Sequence, residues 1–248
     1  MTAYSYQLYS SREFPPLPET LSMLADLGYQ QVEGFGGLYD DPKALRAALD
    51  AAGLAMPTGH FGLDMLENDP DRVLEIASTT GMEAIYCPHI GPELRPDNGP
   101  GWREFGERVQ AAGAPVRDAG LIYGWHNHDF EFGVQSDGST PMGEILAGGP
   151  DLSWEVDIAW IVRGGGDPLS WMSDHADRIS AIHIKDIAPA GECADEDGWA
   201  DVGHGTMGWP TLLNAARNTA CKWFVMEHDK PNDHARFAKR SIATTNQI

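Results

Sequence analysis

The segment 125–132 concentrates side chains that could do chemistry. Its sequence, WHNHDFEF, places two imidazoles and two carboxylates close together after the apolar run 121–124. Imidazole and carboxylate groups bind divalent metals and transfer protons near neutral pH. The segment is therefore interpreted as one wall of a metal-centred active site.

Three later apolar runs also end in side chains of this kind, namely Asp157, His183 and Glu227. If Glu131 shares a pocket with them, three carboxylates would repel one another unless a cation held them together. The economical explanation is a divalent metal bound by Glu131, Asp157, His183 and Glu227. The metal is thus expected to draw its ligands from four separated parts of the chain.

The ligand from segment 125–132 and the identity of the metal stay open. His126 and His128 are close enough in sequence to Glu131 to replace it. Oxygen-rich ligation with a single imidazole suits Mn²⁺ best, with Mg²⁺ or Co²⁺ as alternatives, and it does not exclude Zn²⁺. The predicted cofactor is therefore a divalent metal, with Mn²⁺ preferred.

Residues so far apart need a scaffold that brings several strand ends together. Short strand-like runs alternate with Ala- and Leu-rich helical stretches, a pattern typical of parallel strands joined by crossover helices. The predicted strands lie near 5–8, 31–33, 55–58, 84–87, 121–124, 152–157, 179–184 and 223–227. The predicted helices lie near 19–27, 42–50, 70–79, 102–118, 142–146, 169–175, 209–218 and 232–244. Eight units without a linker predict an α/β fold, a single (β/α)8 TIM barrel over residues 1–248.

Polar side chains recur where these predicted strands end. The residues at or just past a strand end are Glu33, His60, His89, His126, His128, Asp157, His183, Lys185 and Glu227. In barrels of this type the active site lies at the carboxyl ends of the strands. A polar residue in a buried strand is costly unless it is paired, so such a ring indicates a polar cavity that holds a ligand.

Each of these residues also has a structural interpretation. His60 or His89 alone is more often a hydrogen-bonded structural histidine, and Glu33 could simply pair with a cation. Two further alternatives stay open. The segment Gly203-His204-Gly205 is either a phosphate-binding loop or a turn. Four indoles either pack in the core or stack on sugars, namely those of Trp125, Trp154, Trp160 and Trp199. Three other histidines are predicted at the surface, namely His175, His228 and His234.

The charge of the chain limits its partners. There are 37 acidic residues against 17 lysines and arginines, a formal net charge of -20. Such a charge repels phosphate backbones and anionic membranes, which argues against binding to nucleic acid or to a membrane. The expected partner is a small-molecule carbohydrate, and a homo-oligomer stays open.

The cysteines and the N-terminus indicate a cytoplasmic protein. The three cysteines are far apart and form no C-x-x-C pair, so neither a disulfide framework nor a structural zinc site is predicted. The first residues lack the basic and apolar regions of a signal peptide, and no run approaches a membrane span of about 18 apolar residues.

Several motifs in this order resemble a known family. HNHDFEF at 126–132, WEVDIAW at 154–160 with GDP at 166–168, Arg178, HIKD at 183–186, VGHG at 202–205 and VMEHD at 225–229 are similar to the sugar phosphate isomerase/epimerase family of xylose-isomerase-like TIM barrels. The resemblance covers essentially the whole chain. It is specific for the superfamily and says little about the substrate.

The resemblance implies a metal that binds the carbonyl and adjacent hydroxyl of a substrate. Asp157, His183 and Glu227 would be ligands, with Glu131 as the fourth. The metal would act as a Lewis acid that stabilises an enediolate, while Glu227 or His126 moves the proton. Lys185 would contact substrate oxygens. Substrate binding is assigned to Glu33, His60, His89, His128 and Trp160.

The function predicted from the sequence is a metal-dependent isomerase or epimerase of a sugar, keto-sugar or related polyol. A lyase or dehydratase acting on a keto-glycoside or inosose-like substrate is the alternative, because it would share the enediolate. A DNA-repair endonuclease of the same superfamily would need a basic DNA-binding face, which the charge of -20 makes improbable. A non-catalytic sugar-binding barrel is a further alternative, and it predicts no bound metal.

Overall fold

Eight parallel strands close into a barrel in which each strand pairs with its neighbour in the chain, and the last strand pairs with the first. The computed structural model describes residues 3–248, so residues 1 and 2 of the predicted domain lie outside the described range. The barrel strands are β1 Tyr4–Gln7, β2 Gln31–Gly34, β3 Ala55–His60, β4 Ala84–Cys87, β5 Ile122–His126, β6 Ser153–Asp157, β7 Ile179–Ile184 and β10 Trp223–Met226. The predicted (β/α)8 barrel is confirmed.

Helices surround the barrel, and short sequence signals set their ends. They are α1 Leu17–Asp26, α2 Pro42–Ala52, α3 Leu63–Asn68, α4 Pro70–Thr80, α5 Gly99–Ala112, α6 Ala114–Asp118, α7 Pro141–Gly148, α8 Ile158–Arg163, α9 Pro168–Asp174, α10 Trp209–Ala216 and α11 His234–Thr245. In α2 the Asp41 side chain accepts a hydrogen bond from the backbone N–H of Ala44, and Pro42 takes the first helical position. Gly53 ends this helix with a left-handed backbone at φ 70°.

Four features differ from the sequence prediction. Helix α3 was not predicted, because the sequence interpretation began a helix only at Pro70. The predicted helix 102–118 is split at Gly113, where a Cβ atom would lie 1.8 Å from the ring of Tyr123. Helix α8 was not predicted, because it is short and starts directly after β6 without a glycine or proline between them. A small antiparallel sheet of β8 Asp186–Ile187 and β9 Trp199–Ala200 was also missed, since two-residue strands carry no periodic pattern.

Period-two alternation gives the barrel an apolar outer layer and a mixed interior. On β6, Trp154 and Val156 belong to the large apolar core, whereas Glu155 contacts His60 inside the barrel. A smaller apolar cluster comes from alternate residues of β4, β7 and β10, namely Ala84, Tyr86, Ala181, Trp223 and Val225. His183 and Glu227 lie two positions after Ala181 and Val225, so the same alternation turns them toward the barrel interior.

Helices α5 and α7 pack closely because glycine backbones form their interface. A Cβ atom on Gly106 would lie 2.3 Å from the carbonyl oxygen of Ile145, and one on Gly148 would lie 2.0 Å from that of Arg103. This contact supports the outside of β5 and β6, the strands that carry two of the site residues.

Within residues 3–248, no helix combines the length and apolarity needed to cross a membrane.

Candidate active site

The carboxyl ends of β5, β6, β7 and β10 bring together four predicted site residues. His126 ends β5, Asp157 ends β6 and pairs in register with His183 of β7, and Glu227 directly follows β10. One ligand-type atom from each of these four buried residues lies within 4.8 Å of the others. This set, His126, Asp157, His183 and Glu227, is called the outer group below.

The outer group has the donor atoms that a divalent metal needs. Among the described residues, Nδ1 of His126 and Oδ2 of Asp157 are buried and make no hydrogen bond of good geometry, although Oε2 of Glu155 lies 3.1 Å from Nδ1 and Nζ of Lys185 lies 3.0 Å from Oδ2. Buried polar atoms are normally paired, so unpaired ones facing a common point favour a bound cation. Two imidazoles and two carboxylates suit a divalent metal of the first transition series. The residues present therefore fit the implied metal.

The imidazole of His183 contacts carboxylates through both of its nitrogens. Nδ1 lies 2.9 Å from Oε2 of Glu227, and Nε2 lies 2.7 Å from Oε1 of Glu33. Burial alone would lower the pKa of His183, but the neighbouring carboxylates Glu155, Glu227 and Glu33 outweigh it and raise this pKa well above its usual value. His183 thus joins the outer group to a second set of polar residues deeper in the barrel.

This deeper set, called the inner group, consists of His60, His126, Glu155 and His183, and its ligand-type atoms also lie within 4.8 Å of one another. Oε2 of Glu155 lies 2.5 Å from Nε2 of His60 and 3.1 Å from Nδ1 of His126. Sequence reasoning assigned no role to Glu155. The signal was present, because Glu155 is two residues before Asp157 and so faces the same side of β6.

Glu33 lies at the level of the inner group. It is fully buried and does not line the open cavity that lies above the outer group, so the structure does not place it where a substrate would bind. Its Oε1 accepts a hydrogen bond from Nε2 of Gln7, at 2.8 Å. Gln7 was also missed, although it ends β1 as the other polar residues end their strands.

Lys185 lies inside a cluster of carboxylates. Its fully buried Nζ is 3.0 Å from Oδ2 of Asp157, 2.8 Å from Oε2 of Glu227 and 3.0 Å from Oδ2 of Asp229. Burial would lower the pKa of Lys185, but these three carboxylates outweigh it and raise the pKa above its usual value. Lys185 is absent from the lining of the cavity, where the sequence interpretation had it contact substrate. Asp229, which sequence reasoning missed, does line the cavity.

The structure does not bring Glu131 into either group. Its Oε1 accepts a hydrogen bond from Nε1 of Trp125 and its Oε2 accepts one from the backbone N–H of His128, each at 3.0 Å. The carboxyl is fully buried, and burial raises its pKa to about 8. His126, one of the two alternatives for the strand-five ligand, takes the position expected for Glu131.

A cavity of about 670 Å³ opens above the outer group. Four predicted substrate-binding residues line it, namely His60, His89, His128 and Trp160, together with His126 and Glu227. Burial lowers the pKa of His126 to about 4 and that of His128 well below its usual value, so both rings are neutral at pH 7 in this structure. The cavity thus presents the neutral imidazoles of His126 and His128 beside an aromatic wall. The carboxylates of Glu33 and Glu155 instead raise the pKa of His60 above its usual value.

The four indoles divide between the two roles left open by the sequence. Trp160 lines the cavity with Trp199, and the two rings meet edge to face at 4.7 Å. Trp125 and Trp154 are fully buried, and the Nε1 of Trp154 donates a hydrogen bond to Oδ1 of Asn127. Trp199 is also fully buried, with the guanidinium of Arg163 over its ring, so it packs like Trp125 and Trp154. Trp160 is half-buried and is the indole available for stacking.

Two minor interpretations change as well. The backbone N–H of Gly203 donates a hydrogen bond to Oδ2 of Asp186 at 2.7 Å. This loop therefore binds a carboxylate of the protein with the backbone group that could have bound a phosphate.

His228, predicted at the surface, is fully buried, and its backbone N–H donates to Oγ of Ser10. The surface prediction for His228 was wrong, because the chain after β10 turns inward and packs against Phe237 of α11.

Comparison with known proteins gives the same architecture. A sugar phosphate isomerase/epimerase from Parabacteroides distasonis superposes with a TM-score of 0.81 at 22% identity, covering 97% of this chain and 92% of that chain. The probable 3-DHS dehydratase AsbF, involved in petrobactin synthesis in Bacillus anthracis, gives a TM-score of 0.75 at 14% identity and covers 99% of each chain. The rhizopine catabolism protein MocC of Rhizobium meliloti is 23% identical over an alignment of 256 positions, which covers 89% of this chain and 77% of that protein.

A family model described as xylose isomerase-like TIM barrel matches residues 21–246. This match spans nearly all of the barrel, including every member of the outer and inner groups, and it confirms the resemblance found in the sequence motifs. The chain belongs to the xylose isomerase-like TIM barrel family.

Proposed function

We propose that the protein is a divalent-metal-dependent isomerase or epimerase of a sugar, keto-sugar or related polyol. The observation that carries this proposal is the convergence of His126, Asp157, His183 and Glu227 at the base of an open cavity. The similar protein from Parabacteroides distasonis, described as a sugar phosphate isomerase/epimerase, supports the same class of reaction.

The metal would be held by the outer group. With His126 in place of Glu131, the donor set has two imidazole nitrogens, and the preference moves from Mn²⁺ toward Co²⁺ and Zn²⁺. When bound there, such a cation supplies Lewis acidity toward a substrate carbonyl and its adjacent hydroxyl. We therefore expect Co²⁺ and Zn²⁺ to bind more tightly than Mg²⁺.

Glu227 is the residue proposed to move the proton. It lines the cavity, while its Oε2 is held by Nδ1 of His183 and Nζ of Lys185. Burial would raise the pKa of Glu227, but Lys185 and His183 outweigh it and lower this pKa well below its usual value. The carboxylate is therefore ionised at neutral pH and can accept a proton from the carbon next to a carbonyl. With His126 placed among the metal ligands, we no longer propose it for this role.

The cavity residues would bind and orient the sugar. Trp160 offers an aromatic face, and His60, His89 and His128 can hydrogen-bond to hydroxyl groups. The cavity volume of about 670 Å³ is larger than the volume of a few water molecules and suits a ligand of sugar size or larger.

A dehydratase or lyase is the second candidate, favoured by the likeness to the probable dehydratase from Bacillus anthracis. Both reactions begin with loss of a proton next to a carbonyl. In D₂O, an epimerase or isomerase returns deuterated sugar, whereas a dehydratase releases a product that has lost water. Mass spectrometry of candidate ketoses and keto-glycosides incubated in D₂O separates the two.

The proposal is tested on protein purified without chelator. We expect about one bound divalent metal per chain by elemental analysis, with deuterium exchange that is lost on metal removal and restored by Co²⁺ or Zn²⁺. Asp157→Asn and Glu227→Gln are expected to lose metal binding and exchange while keeping the far-ultraviolet circular dichroism of the wild type. Asp41→Asn is the matched control, since Asn also caps a helix. Full exchange in either site variant, or in metal-free protein, would overturn the proposal, and absence of any metal would favour a non-catalytic barrel.

A further inference from the structure

The side chain of Glu33 makes its closest contacts with His183 and Gln7. Its Oε1 lies 2.7 Å from Nε2 of His183 and accepts a hydrogen bond from Nε2 of Gln7 at 2.8 Å. All three side chains are fully buried. They come from β7, β2 and β1, so the contact joins separate strands across the interior of the barrel.

We propose that Glu33 is a positioning residue that holds the Nε2–H of His183 and so directs the Nδ1 lone pair of His183 to the metal. This inference rests on the proposed function, because the orientation matters only where His183 is a ligand. Glu33 itself touches neither metal nor substrate in this assignment.

Both nitrogens of His183 face carboxylates, and a bound metal would take the place of the proton on one of them. A neutral imidazole carries one proton, and the nitrogen without the proton is the one that can bind a metal. Nε2 faces Oε1 of Glu33 at 2.7 Å and Oε2 of Glu155 at 3.4 Å, so two carboxylates favour a proton there. Nδ1 faces Oε2 of Glu227, a member of the outer group. The proton and the lone pair are thus assigned to opposite sides of the ring.

Gln7 fixes the carboxylate that makes this choice. The Oε1 of Gln7 accepts a hydrogen bond from the backbone N–H of Tyr9 at 3.0 Å, so its amide nitrogen is the end that points to Glu33. An amide held at both ends fixes Oε1 of Glu33 where it meets Nε2 of His183 at 2.7 Å, with Nε2 of His60 farther away at 3.3 Å. The orientation of His183 therefore depends, through Glu33 and Gln7, on the backbone N–H of Tyr9.

The cost of burying Glu33 argues for such a role. Barrel interiors are usually filled by layers of branched apolar side chains, and a buried carboxylate is expensive unless it is paired. Oε2 of Glu33 has no hydrogen-bond partner among the described residues, so the pairing depends on Oε1. A contact that orients a metal ligand explains a charge at this depth, which packing alone would not.

The test compares wild type, Glu33→Gln and Glu33→Asp, with Glu196→Gln as the control. Glu196 is also a buried glutamate, paired with Arg236 and remote from His183 in its contacts. Zinc content and affinity are measured first by elemental analysis and calorimetry. Imidazole nitrogen NMR on protein with isotope-labelled histidine then reports which nitrogen of His183 carries the proton, with a His183→Asn variant to assign the signal.

In the zinc-loaded wild type, His183 is expected to keep one proton, on Nε2. Glu33→Gln should lower zinc affinity by roughly 10- to 100-fold and weaken or lose the Nε2–H signal, whereas Glu196→Gln should change neither. Glu33→Asp should recover part of the affinity, because it restores the charge.

The outcomes separate the two proposals. A proton on Nδ1 in zinc-loaded wild type overturns the inference about Glu33 without any variant, while the proposed function survives. Unchanged affinity in Glu33→Gln, or lowered affinity with the Nε2–H signal intact, also overturns it. A wild type that binds no zinc or other divalent metal overturns both proposals.

Discussion

At the residue scale, His126 sets the chemistry of the proposed metal centre. It ends β5 inside the barrel, whereas Glu131 lies on the short turn 130–132 and hydrogen-bonds to Trp125. For Glu131 to become a ligand, both of its hydrogen bonds would have to break, which leaves two buried donors unpaired. His126 needs no such change, because it already lies in the outer group and its Nδ1 makes no hydrogen bond of good geometry.

We predict that His126→Ala lowers Co²⁺ affinity by more than about 100-fold and that Glu131→Gln changes it by less than about threefold. The reason is that only the first removes a donor from the outer group. Isothermal titration calorimetry on metal-free protein measures both affinities, and retained thermal unfolding shows that the variants are folded. Equal losses in the two variants would return Glu131 to the ligand set.

Glu131 also makes a pH-dependent contribution to stability. Burial raises its pKa to about 8 in the folded protein, whereas an unfolded glutamate ionises near about 4.3. Between these values the unfolded state binds fewer protons than the folded state, so the free energy of unfolding falls as pH rises. The contribution of the protonated carboxyl is full below the unfolded pKa and is lost by the time pH reaches the folded pKa.

We predict that Glu131→Gln removes this slope. Relative to wild type, the variant should gain roughly 2 to 3 kcal/mol in free energy of unfolding between about pH 5.5 and about pH 7.5. Urea unfolding at the two pH values measures the difference. A gap between wild type and variant that stays constant with pH would show that Glu131 is ionised in the folded protein.

Much of the site could be predicted from single residues, because strand ends are visible in the sequence. Asp157, His183 and Glu227 were placed correctly together, since an apolar run followed by a ligand-type residue marks a strand end. Glu131 could not be placed, because nothing local says that residues 130–132 turn back toward Trp125. The roles of Gln7 and Glu155 depend on pairing across the barrel, which a one-dimensional pattern does not contain.

At the scale of elements, the contact between α5 and α7 supports the strands below it. Gly106 and Gly148 let the two helices approach until backbone meets backbone. Alanine in a helix normally stabilises by about 1 kcal/mol relative to glycine. Here the added methyl group of either residue would meet a carbonyl oxygen that belongs to a packed helix and cannot swing away.

We predict that Gly106→Ala destabilises the protein by about 1 to 3 kcal/mol despite the gain in helix propensity. Urea unfolding measures the change. Gly133→Ala is the control, because its backbone has φ -65° and a Cβ atom there meets no heavy atom within 4 Å. A stabilised Gly106→Ala would mean that the two helices can separate at little cost.

The elements themselves were predicted where periodic runs are long enough to show. The eight strands follow from local rules, so their prediction was confirmed. Helix α8 follows β6 at once, and Asp157 serves as both its cap and a site residue, through the hydrogen bond from the backbone N–H of Trp160 to Oδ1. A residue with two structural roles looks like a simple strand end in the sequence.

At the scale of the whole molecule, the net charge of -20 opposes the folded state. The unpaired acidic residues are mostly at the surface, where salt screens their mutual repulsion over about 10 Å at moderate ionic strength. The buried ion pairs of Lys185 are shielded from salt by the surrounding protein. Salt should therefore relieve repulsion without weakening the site.

We predict that raising NaCl from about 20 mM to about 500 mM increases the midpoint of thermal unfolding. A variant with three exposed acids neutralised, Glu104→Gln, Asp118→Asn and Asp174→Asn, should unfold at a higher temperature in low salt and respond less to added salt. Differential scanning calorimetry measures both midpoints. A midpoint that falls with salt would indicate that surface ion pairs outweigh the repulsion.

The pairing of β10 with β1 has a consequence for the order of events during synthesis. Glu33 and His183 are 150 residues apart in sequence, and Glu227 follows the strand that closes the barrel. A ribosome-bound chain that lacks β10 therefore has neither a closed barrel nor a complete outer group. The complete set of four ligands therefore forms only when the barrel closes, and a cation that binds all four stabilises the closed barrel by mass action.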